Sequence, residues 1–203
     1  MKALKHLLLC TLGCFVAALS YANHITGGQM YYTLVSESGG NFTYKVTMML
    51  YRDCYSQGAQ LDDSAPIGVF NNETGAIRMF QVPMARQEKL QITSPDPCIL
   101  NPPTVCYDVG YYEFSVTLPA AAQGYTIAYQ RCCRIAGINN LIGSSNVGAT
   151  YTAQIPGTTL NNNYPANNSA QFVGEDRVVV CANSPMSYSF AAKDADGDEL
   201  RYY

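Results

Sequence analysis

The sequence predicts an all-β protein: an antiparallel, disulfide-bonded β-sandwich of the Ig-like kind, followed by the start of a second Ig-like module. Three observations predict it. Apolar and polar residues alternate strictly over several runs, which is the period-2 signature of strands with one buried face. Gly, Pro and Asn punctuate the chain between those runs, and no long amphipathic helical stripe interrupts them. Charged residues make up only 13% of the 203, about half the usual share, as suits a sheet-rich secreted protein rather than a helical cytosolic one.

The strands are justified in chain order. Met30–Val35 is a short candidate, and after it Phe42, Tyr44, Val46, Met48 and Leu50 fall on one face against Thr43, Lys45 and Thr47 on the other. Ile67–Phe70, Ile77–Val82 and Leu90–Thr93 are short candidates bounded by turn residues. Tyr112, Phe114, Val116 and Leu118 alternate with Glu113, Ser115 and Thr117. Across the Pro119–Gly124 connection, Tyr125, Ile127 and Tyr129 alternate with Thr126, Ala128 and Gln130. Thr150–Ile155, Val178–Cys181 and Tyr188–Ala191 complete the set. Each alternating strand has an apolar face that must meet another, so two packed antiparallel sheets are expected.

The first residues assign the compartment. Lys2 and Lys5, the apolar stretch Leu7–Leu19 and Ser20-Tyr21-Ala22 form a secretory signal over residues 1–22, with the mature chain starting near Asn23. The apolar stretch is shorter than the roughly 20 residues a membrane-spanning helix needs. Lipidation at Cys14 is the weaker alternative, because Thr11 stands where Leu is expected. The expected organisation is a sandwich module over 23–160, an Asn-rich linker over 161–176 and the beginning of another sandwich over 177–203. So few residues fall short of the about 100 of an Ig-like domain, so the chain reads as a fragment. The alternative is that the last strands complete the first sandwich.

Net charge is −3 with no basic cluster, which excludes the electrostatic footprint of a nucleic-acid or anionic-lipid binder. Removing Cys10 and Cys14 with the signal leaves Cys54, Cys98, Cys106, Cys132, Cys133 and Cys181, an even set in an oxidising compartment, so disulfides are expected. Cys98 and Cys106 bracket a proline-stiffened loop and form the first expected pair. Strand parity turns Cys54 and Cys133 inward as a second pair, leaving Cys132 for Cys181. Zinc and thiol catalysis are disfavoured: there is no Cys-x-x-Cys, and His24 is the sole mature histidine.

Asp194, Asp196 and Asp198 alternate around Gly197, an arrangement able to offer several oxygens to calcium, the one candidate cofactor. A solvated Asp-Gly turn without a cation is the reading ranked ahead of it. Gly sits too early for an EF-hand loop. Asp62-Asp63 is read as an exposed acidic loop rather than a glycosidase acid and base, since adjacent strand residues point apart. Arg52, Asp53, Arg131 and Arg134 flank cysteines and are assigned to the surface ahead of ion pairs. Asn41, Asn72 and Asn167 open glycosylation-type triplets. The sixteen tyrosines are read as packing groups ahead of a ligand surface.

Several blocks carry a family resemblance: Asn23-His24-Ile25-Thr26-Gly27-Gly28-Gln29-Met30-Tyr31-Tyr32, Leu50-Tyr51-Arg52-Asp53-Cys54, Tyr129-Gln130-Arg131-Cys132-Cys133-Arg134 with Ile138-Asn139-Asn140, and Cys181-Ala182-Asn183-Ser184-Pro185 through Asp194-Ala195-Asp196-Gly197-Asp198-Glu199-Leu200. The chain resembles the N-terminal region of large secreted Bacteroidetes proteins of the gliding-motility-associated group, whose C-terminal sorting domain directs type IX secretion. The last block is similar to the opening of a PKD-like or cadherin-like repeat. The resemblance implies a secreted or cell-surface multidomain protein associated with adhesion or gliding, with no catalytic residues to carry over. The expectation is therefore a non-enzymatic binding or spacer module. Its partners would be neighbouring β-sandwich modules of the same chain and a glycan or protein surface ligand. An accessory module of a secreted carbohydrate-active enzyme is the rival.

Overall fold

A computed structural model describes residues 25–91, 101, 104–159, 166–174 and 183–202. Seven strands form one antiparallel sheet folded onto itself as a sandwich: β1 (Ile25–Ser38), β2 (Asn41–Asp53), β3 (Ser64–Asn71), β4 (Ile77–Gln91), β5 (Cys106–Pro119), β6 (Tyr125–Arg131) and β7 (Ala149–Ile155). Their spatial order is β1-β2-β5-β4-β3-β6-β7. A two-stranded ribbon, β8 (Gln171–Phe172) with β9 (Ala192–Lys193), lies beyond them. The all-β, disulfide-bonded antiparallel sandwich read from the alternation is the fold observed.

β4 makes the corner. Its first half pairs with β3, Ile77 opposite Phe70 through Pro83 opposite Ser64, and its second half pairs with β5, Met84 opposite Tyr112 through Gln91 opposite Cys106. Pro83 has no N–H to donate, and the ladder is irregular between Met84 and Arg86, so the strand leaves one sheet layer and enters the other there. The sequence expectation of two strands over Ile77–Val82 and Leu90–Thr93 is thus corrected to one bent strand. The Gly39-Gly40 pair joins β1 to β2 as a two-residue turn, with both φ values positive at 56° and 74°, the geometry a tight hairpin requires. Tyr188–Ala191, expected as a strand, is irregular, and β9 begins just after it. Val178–Cys181 and the signal segment lie outside the described residues.

β2 and β5 are the spine. They pair without interruption from Asn41 opposite Pro119 to Asp53 opposite Tyr107. This register sets even-numbered residues against even-numbered ones on the inner face: Phe42 with Leu118, Tyr44 with Val116, Met48 with Tyr112. Those side chains are buried, and Ile67, Val69, Val82, Ile127 and Ile155 close over them from the other layer. At Gly110, opposite Leu50, a Cβ would stand 2.9 Å from Leu61 and 3.1 Å from the Met84 sulfur, so only glycine lets Leu61 enter the core.

The same inner face changes chemistry toward one end. Arg52 stands opposite Asp108 and is only 2% exposed, with Nη1 3.3 Å from the Asp108 carboxylate. Its guanidinium also donates to the carbonyls of Asp53, Ser56, Gly58 and Ala59, at 2.9–3.2 Å, and so shapes the loop between β2 and β3. Surface placement of Arg52 is corrected: parity, which put Phe42 to Leu50 inside, carries position 52 inside too. One step further, Cys54 is bonded to Cys106 and its N–H donates to the Cys106 carbonyl. Cross-linking residues 52 apart contributes about 4 kcal/mol on the chain-entropy model.

This bond corrects the expected Cys98–Cys106 and Cys54–Cys133 pairs. Cys132 is instead bonded to its neighbour Cys133 across a cis peptide bond, which also removes the Cys132–Cys181 pairing. β6 ends at Arg131, so strand parity does not extend to Cys133. Cys98 and Cys181 lie outside the described residues.

Two predictions follow from this core. Arg52→Met leaves the Asp108 carboxylate and the loop carbonyls without their cation, and is expected to cost about 3–5 kcal/mol in urea unfolding of the oxidised protein; a loss below about 1 kcal/mol would contradict the role given to it. Burial raises the Tyr112 and Tyr129 hydroxyls to about 12, so the folded state holds protons that the unfolded chain releases near 10. The associated stability is complete below about pH 10 and is lost as pH climbs toward 12. The melting temperature should accordingly fall over that interval, with late tyrosinate absorbance appearing as the protein unfolds.

Candidate functional site

Two clefts border the segment that returns to the sandwich after β7, and different residues build each. The first is held together at the free edge of β1. An edge strand presents unpaired backbone groups that need partners. Side-chain oxygens supply them here: the Tyr32 N–H donates to Ser169 Oγ at 2.7 Å and the Leu34 N–H to Asn168 Oδ1 at 2.8 Å. The Ser169 N–H in turn donates to the Tyr32 carbonyl at 3.1 Å. Asn167 is buried and accepts from the Tyr32 hydroxyl at 2.7 Å. The Asn-Asn-Ser run is therefore a clasp on β1, and the buried, bonded amide of Asn167 is not placed as a glycan acceptor.

The acidic turn fastens the clasp from outside. Asp196 accepts from the Asn168 N–H at 2.6 Å and from its side-chain amide at 2.7 Å, and Asp198 accepts from the Asn167 amide at 2.9 Å. Asp194 accepts the N–H groups of Asp196 and Asp198, closing the turn in which Gly197 has φ 82°. One oxygen from each of Asp194, Asp196 and Asp198 lies within 4.8 Å of the others. Calcium takes six to eight oxygens, so three carboxylates already engaged with backbone and amide donors make up only part of a cage. A cleft of about 430 Å³ runs beside them, lined by Asn72, Gln123, Gln154, Asn168, Asp198 and Glu199 among others.

The second cleft, of about 370 Å³, lies on the outer face of β1, β2 and β5 and is lined by Thr26, Gln29, Tyr51, Tyr107, Phe172 and Tyr188, together with Gly27 and Gly28. Tyr51 and Tyr107 occupy odd positions of β2 and β5, so the register that buries the even residues turns these two outward beside each other. Their rings meet edge to face, centroids 6.5 Å apart at 90°. Phe172 on β8 is 64% exposed, and Tyr188 packs edge to face on Phe190 at 4.8 Å. Thr26 Oγ1 donates to the Tyr51 carbonyl at 3.1 Å. Gln29 Nε2 donates to the Met49 sulfur at 3.3 Å, a weak acceptor. None of the described residues lining this cleft carries a charge.

The remaining predicted groups lie elsewhere. Asp62 pairs with Arg131, whose guanidinium is largely buried and held below its usual range by desolvation. The expected exposed placement of Arg131 is corrected on that ground. Arg134 donates to the Gly148 carbonyl at 3.1 Å in the loop after the vicinal disulfide. Asp62 and Asp63 are not brought together as an acid and base: Asp62 is committed to Arg131, and the Asp63 carbonyl accepts the Met84 N–H. The tyrosines of the cleft are the residues that sequence reasoning passed over. The available signal was Tyr51, an aromatic at an outward position between Leu50 and Arg52, where a polar residue is expected.

No family model matches the chain, and no curated protein or solved structure matches it. No helix among the described residues is long and apolar enough to cross a membrane.

The clasp yields a prediction. Asp196→Asn keeps the shape of the side chain but removes the charge that accepts two bonds from Asn168. It should speed amide hydrogen exchange at Asn168 and Ser169 several-fold while changing global stability by less than about 1 kcal/mol, as expected of an exposed contact. Unchanged exchange at both amides would show that the carboxylate does not fasten the clasp.

Proposed function

We propose that this chain is a non-enzymatic extracellular β-sandwich module of a large secreted or cell-surface protein, of the adhesion or gliding-motility-associated kind, and that it acts by binding. The observation that carries the reading is the aromatic cleft around Tyr51, Tyr107, Phe172 and Tyr188, displayed on the outer face of a sheet whose inner face is pinned by Arg52–Asp108 and Cys54–Cys106. Aromatic and amide groups on a rigid sheet suit recognition, whereas acid, base or nucleophilic chemistry needs titratable groups facing a shared space. Two disulfides support an oxidising destination, in keeping with the secretory segment over residues 1–22. Neighbouring sandwich modules of the same polypeptide are the structural partners in this reading. The aromatic cleft equally suits an accessory module of a secreted carbohydrate-active enzyme, which differs in what the module is attached to rather than in how it binds.

The test is export. Produced from its own start codon in a Bacteroidetes host, the protein should begin near Asn23 by N-terminal sequencing and be removed from intact cells by added protease. Peptide mapping without reduction should recover Cys54 linked to Cys106 and Cys132 linked to Cys133. A cytosolic protein that retains Met1 and reacts with thiol reagents at all four positions would overturn the reading.

A further inference from the structure

The geometry points to the class of ligand for the aromatic cleft: we propose that it binds a neutral glycan, with a hexopyranose ring packed into the corner between the perpendicular rings of Tyr51 and Tyr107 and Phe172 as the opposing wall. The inference rests on the binding role proposed above. A pyranose has an apolar face of C–H groups and a rim of hydroxyls. The faces of aromatic rings carry negative charge density and attract such polarised C–H groups, and two rings set at 90° enclose a ring-shaped ligand from two sides.

The polar groups fit the hydroxyl rim. Gln29 spends its amide donor on a thioether 3.3 Å away, a partner readily exchanged for a sugar hydroxyl. Its amide oxygen and the Thr26 hydroxyl add acceptor capacity at the same wall. A sugar hydroxyl both donates and accepts, so a mixed wall satisfies it. A proline-rich peptide is the other frequent occupant of aromatic clefts, but its prolines offer acceptors without donors and make less use of such a wall. Charge selects further: against the described lining residues, none of which is charged, an anionic or cationic sugar would lose solvation without gaining an ion pair. A volume of about 370 Å³ lies at the small end of the range for small-molecule pockets, which suits one or two sugar rings rather than a long chain.

The experiment is calorimetric titration of the oxidised, secreted protein with neutral hexasaccharides of glucose, of mannose and of galactose, beside a sulfated hexasaccharide and decaproline. At least one neutral sugar should bind with a Kd of about 1 mM or tighter, as suits a shallow, open site. Tyr107→Ala and Phe172→Ala should each weaken it about tenfold or more, while Tyr107→Phe stays within about threefold, because the ring supplies the stacking face. Phe172 is exposed, so its replacement leaves the sandwich intact and keeps the test valid if Tyr107→Ala misfolds. Failure of all three neutral sugars, binding of the sulfated sugar or decaproline alone, or binding indifferent to Phe172→Ala would each overturn the inference. A protein that reaches the cell exterior yet fails here leaves the export reading standing and removes only the glycan.

Discussion

The uninterrupted register between β2 and β5 is the constraint on which the rest of the structure depends. Because side chains alternate with period 2, one choice of pairing assigns every residue of both strands to a face, and a slip of one residue in either strand would invert it. With Asn41 opposite Pro119, the even residues build the core and then, in sequence, an ion pair and a disulfide. The odd residues of the same stretch place Tyr51 and Tyr107 beside each other, half-buried, on the outer face. Core, cross-link and aromatic wall are thus consequences of a single pairing. A buried ion pair is a weak source of stability compared with apolar residues, but it is intolerant of misregister: any shift leaves a charge in the core without its partner. Arg52–Asp108 therefore guards the register that Cys54–Cys106 makes permanent.

The C-terminal segment depends on a different kind of interaction. Among its described residues only Ala166 packs against the core, and their hold on β1 comes from the side chains of Asn167, Asn168 and Ser169, reinforced by Asp196 and Asp198. These bonds are specific in geometry and partly exposed, so they fix position more than they add stability. The consequence reaches the aromatic cleft. β8 begins two residues after Ser169, and Phe172 stands in it, so the clasp that covers the edge of β1 also sets the distance between Phe172 and the two tyrosines of the sheet.

Much of this was legible in the sequence, and the part that was not follows a pattern. Alternation is local, so the strands over Phe42–Leu50, Tyr112–Leu118 and Tyr125–Gln130 could be placed and their inward faces named from a few residues each. Partnership is not local. β2 and β5 are separated along the chain by β3 and β4, so nothing near Cys54 announces Cys106, and a short proline-stiffened loop made Cys98 look the nearer partner. Arg52 shows a second cause. Its parity pointed inward, but the general preference of arginine for the surface outweighed parity, and three of the four carbonyls that solvate it, those of Ser56, Gly58 and Ala59, belong to irregular backbone with no periodic signature. The acidic turn shows a third: with Asp194 closing the turn, Asp196 and Asp198 are as well spaced to accept from two asparagines 28 and 31 residues away as the three are to hold a cation, and spacing alone does not separate the two.

The placement of the aromatic cleft follows from the same economy of pairing. A recognition surface gains little from its side chains if ordering them on binding consumes the contact energy, so the groups that touch a ligand work best when the backbone beneath them is already fixed. Tyr51 and Tyr107 are each adjacent in sequence to a fixed inner-face residue, Arg52 and Cys106, and lie on the end of the sheet where the ion pair and the disulfide sit. The ion pair and the disulfide thus fix the backbone beneath the rings. Across from them, Phe172 stands on the two-residue β8 and Tyr188 on irregular backbone, where its ring packs on Phe190. A floor that is already fixed limits what ordering Tyr51 and Tyr107 would cost, which is the condition that the proposed glycan site needs.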